Sequence, residues 1–193
     1  MVATTGSRLL PAEALDSLRT LLLPRAFIVT PNIPEALLLA SSSTSSSSSS
    51  GSDNEKQQTK VSTIADLETL ARQVQAHGPQ YVLVKGGHAP FQRDGTLAES
   101  DGDKHIVVDV LLGPDGNITH FTNEYQDSKN THGTGCSLAS AVASNLALGS
   151  APVDAVRAAI RYVEAGIRTA PGLGQGNGPL NHFHSVSVLP FAP

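Results

Sequence analysis

A single cysteine, no tryptophan and no excess of basic side chains set the first limits on this chain of 193 residues. One cysteine excludes an internal disulfide framework. Lysine and arginine number 13 against 17 aspartates and glutamates, a net charge of −4, which leaves no basic stripe to neutralise a nucleic-acid backbone. No nucleic-acid partner is therefore expected, and any phosphate bound here is a small one. No apolar run approaches the roughly 20 residues of a membrane-spanning helix, so no membrane insertion is expected. The opening Met1-Val2-Ala3-Thr4-Thr5-Gly6-Ser7-Arg8 has no apolar segment of the kind a secretory signal carries, and a cytoplasmic location is expected. Aromatics amount to only 4%, so the core must be built from Leu, Val, Ile and Ala, the composition of layered α/β proteins. The length suits one domain.

What the chain does contain is an alternation of strand and helix patterns. Leucines at helical spacing run from Pro11 to Leu22, with the proline at a first-turn position. Ala26-Phe27-Ile28-Val29-Thr30 reads as a short apolar strand covered on both faces. Pro31 to Glu35 makes a turn into a helix expected over 36 to 40. Residues 41 to 52 are almost pure serine, and 41 to 60 is expected to be a low-complexity, disordered insertion, because such a tract cannot bury enough apolar surface to offset its conformational entropy. Thr63 and Asp66 have the spacing of a capping box for a helix running to His77. Tyr81 to Lys85 is a second strand. His105 to Leu111 and Ile118 to Thr122 flank Gly113-Pro114-Asp115-Gly116, a hairpin composition. Two helices follow, over 133 to 149 and 152 to 169. The pattern points to an α/β sandwich.

The most informative stretch is Thr131-His132-Gly133-Thr134-Gly135-Cys136, which leads into a helix of small residues. The first amides of a helix lack intrahelical acceptors and sit at the positive end of its dipole, so they can hydrogen-bond a phosphate, and two glycines let the backbone come close. A plain glycine turn before a closely packed helix, with Cys136 as a small core residue, is the alternative. Asn32 and Glu35 put an amide and a carboxylate on one face of a helix start. They suit either Mg²⁺ with phosphate oxygens or simple helix capping. Lys85, against Gly86 and Gly87, could neutralise charge on a transferred phosphoryl group or be an ordinary solvated lysine. The three loops at 30 to 35, 85 to 88 and 131 to 136 each follow a strand, and carboxyl-end loops of open sheets converge on a ligand crevice. His88 and His132 lack the partners and spacing of a zinc site, and no further group orients a Cys-His nucleophile. Asp94, Asp101 and Asp103 read as solvated charges.

Taken in order, VTPNIPEA at 29 to 36, VLVKGGH at 82 to 88, VDVLL at 108 to 112, NTHGTGCSLASAVASNLALG at 130 to 149 and GNGPLNHF at 176 to 183 resemble the hydroxymethylpyrimidine and phosphomethylpyrimidine kinases of thiamine biosynthesis, within the ribokinase-like superfamily. The resemblance implies a three-layer α/β/α sandwich, incomplete at its N-terminus. It also implies transfer of the γ-phosphoryl of ATP, with Mg²⁺, to a small pyrimidine substrate, 4-amino-5-hydroxymethyl-2-methylpyrimidine, and then to its monophosphate. By the same resemblance Gly133, Thr134, Gly135 and Cys136 form an anion hole at the catalytic centre. Cys136 stands where ribokinase relatives have an aspartate base, and whether it removes a proton or only helps form the hole stays open. Asn32 and Glu35 match the N-x-x-E element, with Glu35 toward the metal and Asn32 toward the nucleotide phosphates. Lys85 matches the lysine beside them, and Gly176 and Gly178 are expected near the nucleotide. Family members carry further strands and an acceptor-side turn before the point equivalent to Met1. Residues 1 to 187 are thus expected to be part of a kinase domain, and 188 to 193 a linker toward a fused thiaminase-II-like domain in a longer parent chain, where the activity is expected. A homodimer stays open. Pyridoxal kinase is the alternative within the class, disfavoured by cysteine at 136. A non-catalytic nucleotide-binding piece is the alternative outside it.

Overall fold

The computed structural model describes residues 11 to 41, 61 to 87 and 89 to 186. The serine-rich stretch from 42 to 60, His88 and the expected linker at 188 to 193 lie outside the described residues. The chain divides into two compact units, one ending at Tyr125 and one beginning at Gln126.

The first unit opens with α1 (Ala12–Ser17), which continues as a π turn over Leu18–Leu22 and a 3₁₀ turn over Leu23–Arg25. Strand β1 is only Ile28–Val29, both half-buried, shorter than the run of five the apolar composition suggests. Its pairing is extended on either side by single contacts, Tyr81 N to Phe27 O at 2.9 Å and an isolated bridge between Asn32 and Lys85. Helix α2 (Ile33–Ala40) begins three residues earlier than expected, because Pro34 is tolerated in a first turn where its missing N–H has no acceptor anyway. The α3 helix (Ile64–Gln75) starts at the expected capping box. The Ser62 amide, joined by the Thr63 amide and hydroxyl, holds the Asp66 carboxyl below the usual range.

Strands β2 (Tyr81–Val84), β3 (Ile106–Leu112) and β4 (Ile118–Glu124) complete a four-stranded sheet in the order β1-β2-β3-β4. β1 and β2 are parallel, whereas β2-β3 and β3-β4 are antiparallel, so the sheet is mixed. The turn from Gly113 to Asn117 reverses the chain at once, and Gly113 N donates to Asn117 O at 2.9 Å. Alternation along the strands sends Val82, Val84, Val108, Val110 and Leu112 into one core with α2 and α3 residues such as Ala36, Leu39, Leu67, Leu70 and Val74. Leu83, Leu111 and Phe121, on the opposite face, are buried as well.

Phe91 anchors the long connection before β3. Its ring is fully buried, and its amide donates to Ile106 O at 2.8 Å while its carbonyl accepts from His105 and Ile106.

The second unit is a pair of helices, α4 (Thr134–Ala147) and α5 (Pro152–Arg168), joined by a four-residue connection and followed by an irregular segment. Leu138 and Val142 of α4 and Ala155, Val156, Ala159, Ile160 and Val163 of α5 are buried. These positions lie four apart on α4 and three and four apart along α5, the apolar stripe that an amphipathic helix buries.

Truncating Phe91 to alanine is expected to cost about 3–5 kcal/mol of unfolding free energy by loss of transfer and cavity terms. Phe183→Ala, at a ring that is 75% exposed, should change little. Denaturant titration of both variants checks the contrast.

Candidate active site

The expected site residues fall into two sets, Asn32, Glu35 and Lys85 in the first unit and Gly133, Thr134, Gly135, Cys136, Gly176 and Gly178 in the second. Each set has its own local construction.

In the first unit, Asn32 is the N-cap of α2. Its side-chain oxygen accepts from Glu35 N at 2.8 Å, and Glu35 Oε2 accepts from Asn32 N at 3.0 Å. The pair is thus a reciprocal capping box, which settles the conformation of the loop after β1. Lys85 follows β2 directly. Its amide donates to Pro31 O at 2.9 Å, and its ammonium donates to the carbonyl of Thr30. Loops 30 to 35 and 85 to 87 therefore meet, as the alternation of strands and loops suggests, through the Asn32–Lys85 bridge.

Sequence reasoning assigned no role to Asp109. It is buried on β3, and its Oδ1 accepts from Gly86 N at 2.8 Å. Burial drives its carboxyl up to about 6, while the Gly86 amide and the Lys85 ammonium pull the other way. The available signal was a lone acid inside the apolar run Val107-Val108-Asp109-Val110-Leu111. Gly86 is itself obligatory, since a Cβ there would overlap the Val108 carbonyl.

In the second unit, Gly133 is the N-cap of α4 with φ +83° and ψ 0°, the left-handed conformation that glycine adopts without a Cβ penalty. The turn is held by Ser137 N to Gly133 O at 2.9 Å and by the Thr134 hydroxyl donating to Thr131 O at 3.0 Å. Gly135 and Cys136 then supply first-turn amides, which have no carbonyl four residues back inside the helix. Cys136 is exposed, and a Cβ on Gly135 would meet nothing within 4 Å, so the approach to these amides is open within this unit. The same openness holds at Gly176, but not at Gly178, which is buried against Asn130 and whose carbonyl accepts from His132 N at 3.1 Å. Gly178 thereby ties the C-terminal segment to the loop before α4, with Leu180 buried beneath.

Chemically, the helix start suits an anion. Among the described residues no three His, Cys, Asp or Glu side chains cluster as a metal cage. Mg²⁺ needs no such cage, since it is usually held by one or two carboxylates with phosphate oxygens and water, and Glu35 is a carboxylate of that kind.

A model of the phosphomethylpyrimidine kinase family matches residues 1–181. The chain belongs to this family. Among relatives within the phosphomethylpyrimidine kinase family, it is 37% identical over 195 residues to the putative hydroxymethylpyrimidine/phosphomethylpyrimidine kinase 2 of Schizosaccharomyces pombe, covering 100% of this chain and 33% of that protein. It is 33% identical over 184 residues to the hydroxymethylpyrimidine/phosphomethylpyrimidine kinase of Bacillus subtilis, covering 95% of this chain and 56% of that one. The chain thus spans between a third and little over half the length of these two relatives. The solved ADP complex of Bacillus subtilis pyridoxal kinase shares the fold, with a TM-score of 0.69 and 28% identity over 91% of this chain and 57% of that structure. The expected ribokinase-like α/β architecture is borne out by this likeness. No helix among the described residues is long and apolar enough to cross a membrane.

Two outcomes follow from the geometry of this family member. Gly133→Ala forces a side chain into the left-handed region and should cost roughly 1–2 kcal/mol in thermal unfolding. Because folding raises the Asp109 carboxyl from 3.8 to about 6, the folded state favours its protonated form, and stability is lost as pH rises through that window. Asp109→Asn does not titrate, so its melting temperature should gain on that of the wild type between pH 4 and 6. A pH series of melting curves tests the sign.

Proposed function

We infer that this chain is the nucleotide-side part of an ATP-dependent kinase that phosphorylates 4-amino-5-hydroxymethyl-2-methylpyrimidine and then its monophosphate. The observation that carries the reading is identity of 33% and 37%, along nearly all of this chain, to proteins named hydroxymethylpyrimidine/phosphomethylpyrimidine kinases. In the first transfer the hydroxyl oxygen of the pyrimidine alcohol loses its proton and forms a bond to the γ-phosphorus, and in the second an already ionised phosphate oxygen of the monophosphate forms that bond. The bond from that phosphorus to the β-γ bridging oxygen breaks, and ADP departs.

On this reading the amides of Gly135 and Cys136, at the α4 N-terminus, stabilise the non-bridging oxygens of the moving phosphoryl group, and Gly133 and Thr134 shape the loop that presents them. Lys85 offsets phosphate charge, and Asn32 orients Glu35 through the capping box. Glu35 would hold Mg²⁺, which when bound supplies charge neutralisation on the nucleotide phosphates. Gly176 lies open enough for close nucleotide approach, and Gly178 acts through the backbone it fixes. In the first transfer the hydroxyl proton goes either to the Cys136 thiolate or to solvent.

A second reading, phosphorylation of pyridoxal, is favoured by one observation, the shared fold and 28% identity with a pyridoxal kinase. A homodimer, a fused thiaminase-II-like domain and a cytoplasmic location accompany the main reading as parts of the same proposal.

The full-length protein should consume ATP with the pyrimidine alcohol and with its monophosphate, and far more slowly with pyridoxal. The reverse preference would overturn the main reading in favour of the second. In the same assay, Cys136→Ala should lower kcat by about 10²-fold or more, with nearly unchanged ATP affinity, if the thiolate is the base. Unchanged turnover assigns the work to the amide cradle.

A further inference from the structure

Among the described residues, the buried charged side chains are Arg19 and Asp109. Arg19 is explained by its bonds: Nε donates to Leu39 O at 3.0 Å, and the guanidinium also reaches Leu38 O and Ser41 Oγ, so it satisfies carbonyls at the end of α2. Asp109 is not explained by packing. A β-branched apolar residue at this strand position would fill the space without the cost of burying a carboxylate.

The register shows what the carboxylate does. Antiparallel pairing of β2 with β3 runs Val82↔Leu112, Leu83↔Leu111, Val84↔Val110, and one step further would set Lys85 opposite Asp109 and Gly86 opposite Val108. The ladder stops at Val84. There Gly86 presses against the Val108 backbone, and its amide turns to the Asp109 carboxylate. Lys85 and Asp109 occupy the same face of the sheet, opposite the valines that pack on α2 and α3. On its other side the Lys85 amide is held by Pro31 and its ammonium by Thr30.

We propose that Asp109 is a positioning residue for phosphoryl transfer: by accepting from the Gly86 amide it fixes the Lys85-Gly86 turn, so that Lys85 is presented to the phosphates of the nucleotide. What Lys85 meets rests on the kinase reading above; what Asp109 holds does not. A carboxylate accepting from an amide is stronger than a neutral pair, and in a buried setting it leaves the turn few alternatives. Ordering of a lysine before the ligand arrives is the preorganisation that electrostatic stabilisation of a transferred group requires.

The test compares Asp109→Ala with Asp109→Asn in the full-length protein. Asparagine keeps an oxygen for the Gly86 amide; alanine removes it. The readouts are ATP affinity by calorimetry and the hydrogen-exchange rate of the Gly86 amide by NMR. Alanine should weaken ATP binding about tenfold and speed Gly86 exchange, while asparagine stays within about threefold of the wild type on both. A purely structural role would lower the melting temperature of the alanine variant and leave the ATP affinity of the folded protein intact, and that result overturns the proposal. Should the alanine variant fail to fold, the wild type still decides: a Gly86 amide that exchanges like a solvent-exposed one is not latched, and the proposal falls. A wild type that binds ATP but phosphorylates no pyrimidine overturns the kinase reading alone. A wild type that binds no ATP overturns both.

Discussion

The first unit turns on the contact between Gly86 and β3. Because no side chain fits between Gly86 and the Val108 carbonyl, the backbone can leave the β2-β3 ladder without opening a gap, and the amide it frees is taken by Asp109. A strand that ended in ordinary fraying would leave Lys85 on a loose tail. Here its backbone is instead secured on both sides, by Pro31 and through Gly86, before any ligand is considered. The capping box of Asn32 and Glu35 does the same for the neighbouring loop, so the polar residues at this end of the strands have assigned partners.

The second unit solves a related problem by different means. Its phosphate-suited loop has no strand to continue, so it is held by a left-handed glycine, by the Thr131 carbonyl and by a short parallel bridge from His132 to the C-terminal segment at Pro179. On the kinase reading proposed above, both constructions have one chemical reason: phosphoryl transfer demands fixed dipoles and charges more than it demands covalent chemistry from the protein.

Local features were the ones legible in the sequence. The boxes Asn32-x-x-Glu35 and Thr63-x-x-Asp66, the Gly113–Gly116 turn and the glycine entry to α4 all depend on residues within four positions of each other, and the structure has each. What sequence could not give depended on distant partners. The strand around Ile28 is only two residues long, and its pairing partners Tyr81 and Val82 lie 53 positions further along the chain. Asp109 carries one local signal, a lone acid in an apolar run, but its partner Gly86 lies 23 residues away, so the latch itself is not readable from the sequence. For the candidate site, residue types were readable, but the division of labour was not. Glu35 carries a capping duty alongside any metal role, and Gly178 anchors the backbone by accepting from the His132 amide.

The two helices that flank the serine-rich stretch are each sealed by their own chemistry. Arg19 closes the carbonyl end of α2, and Thr63 with Asp66 closes the amide end of α3. The first seal includes the Ser41 hydroxyl and the second the Ser62 amide, each within a few residues of the helix it closes. The two helix ends that face this stretch thus find polar partners among the described residues themselves.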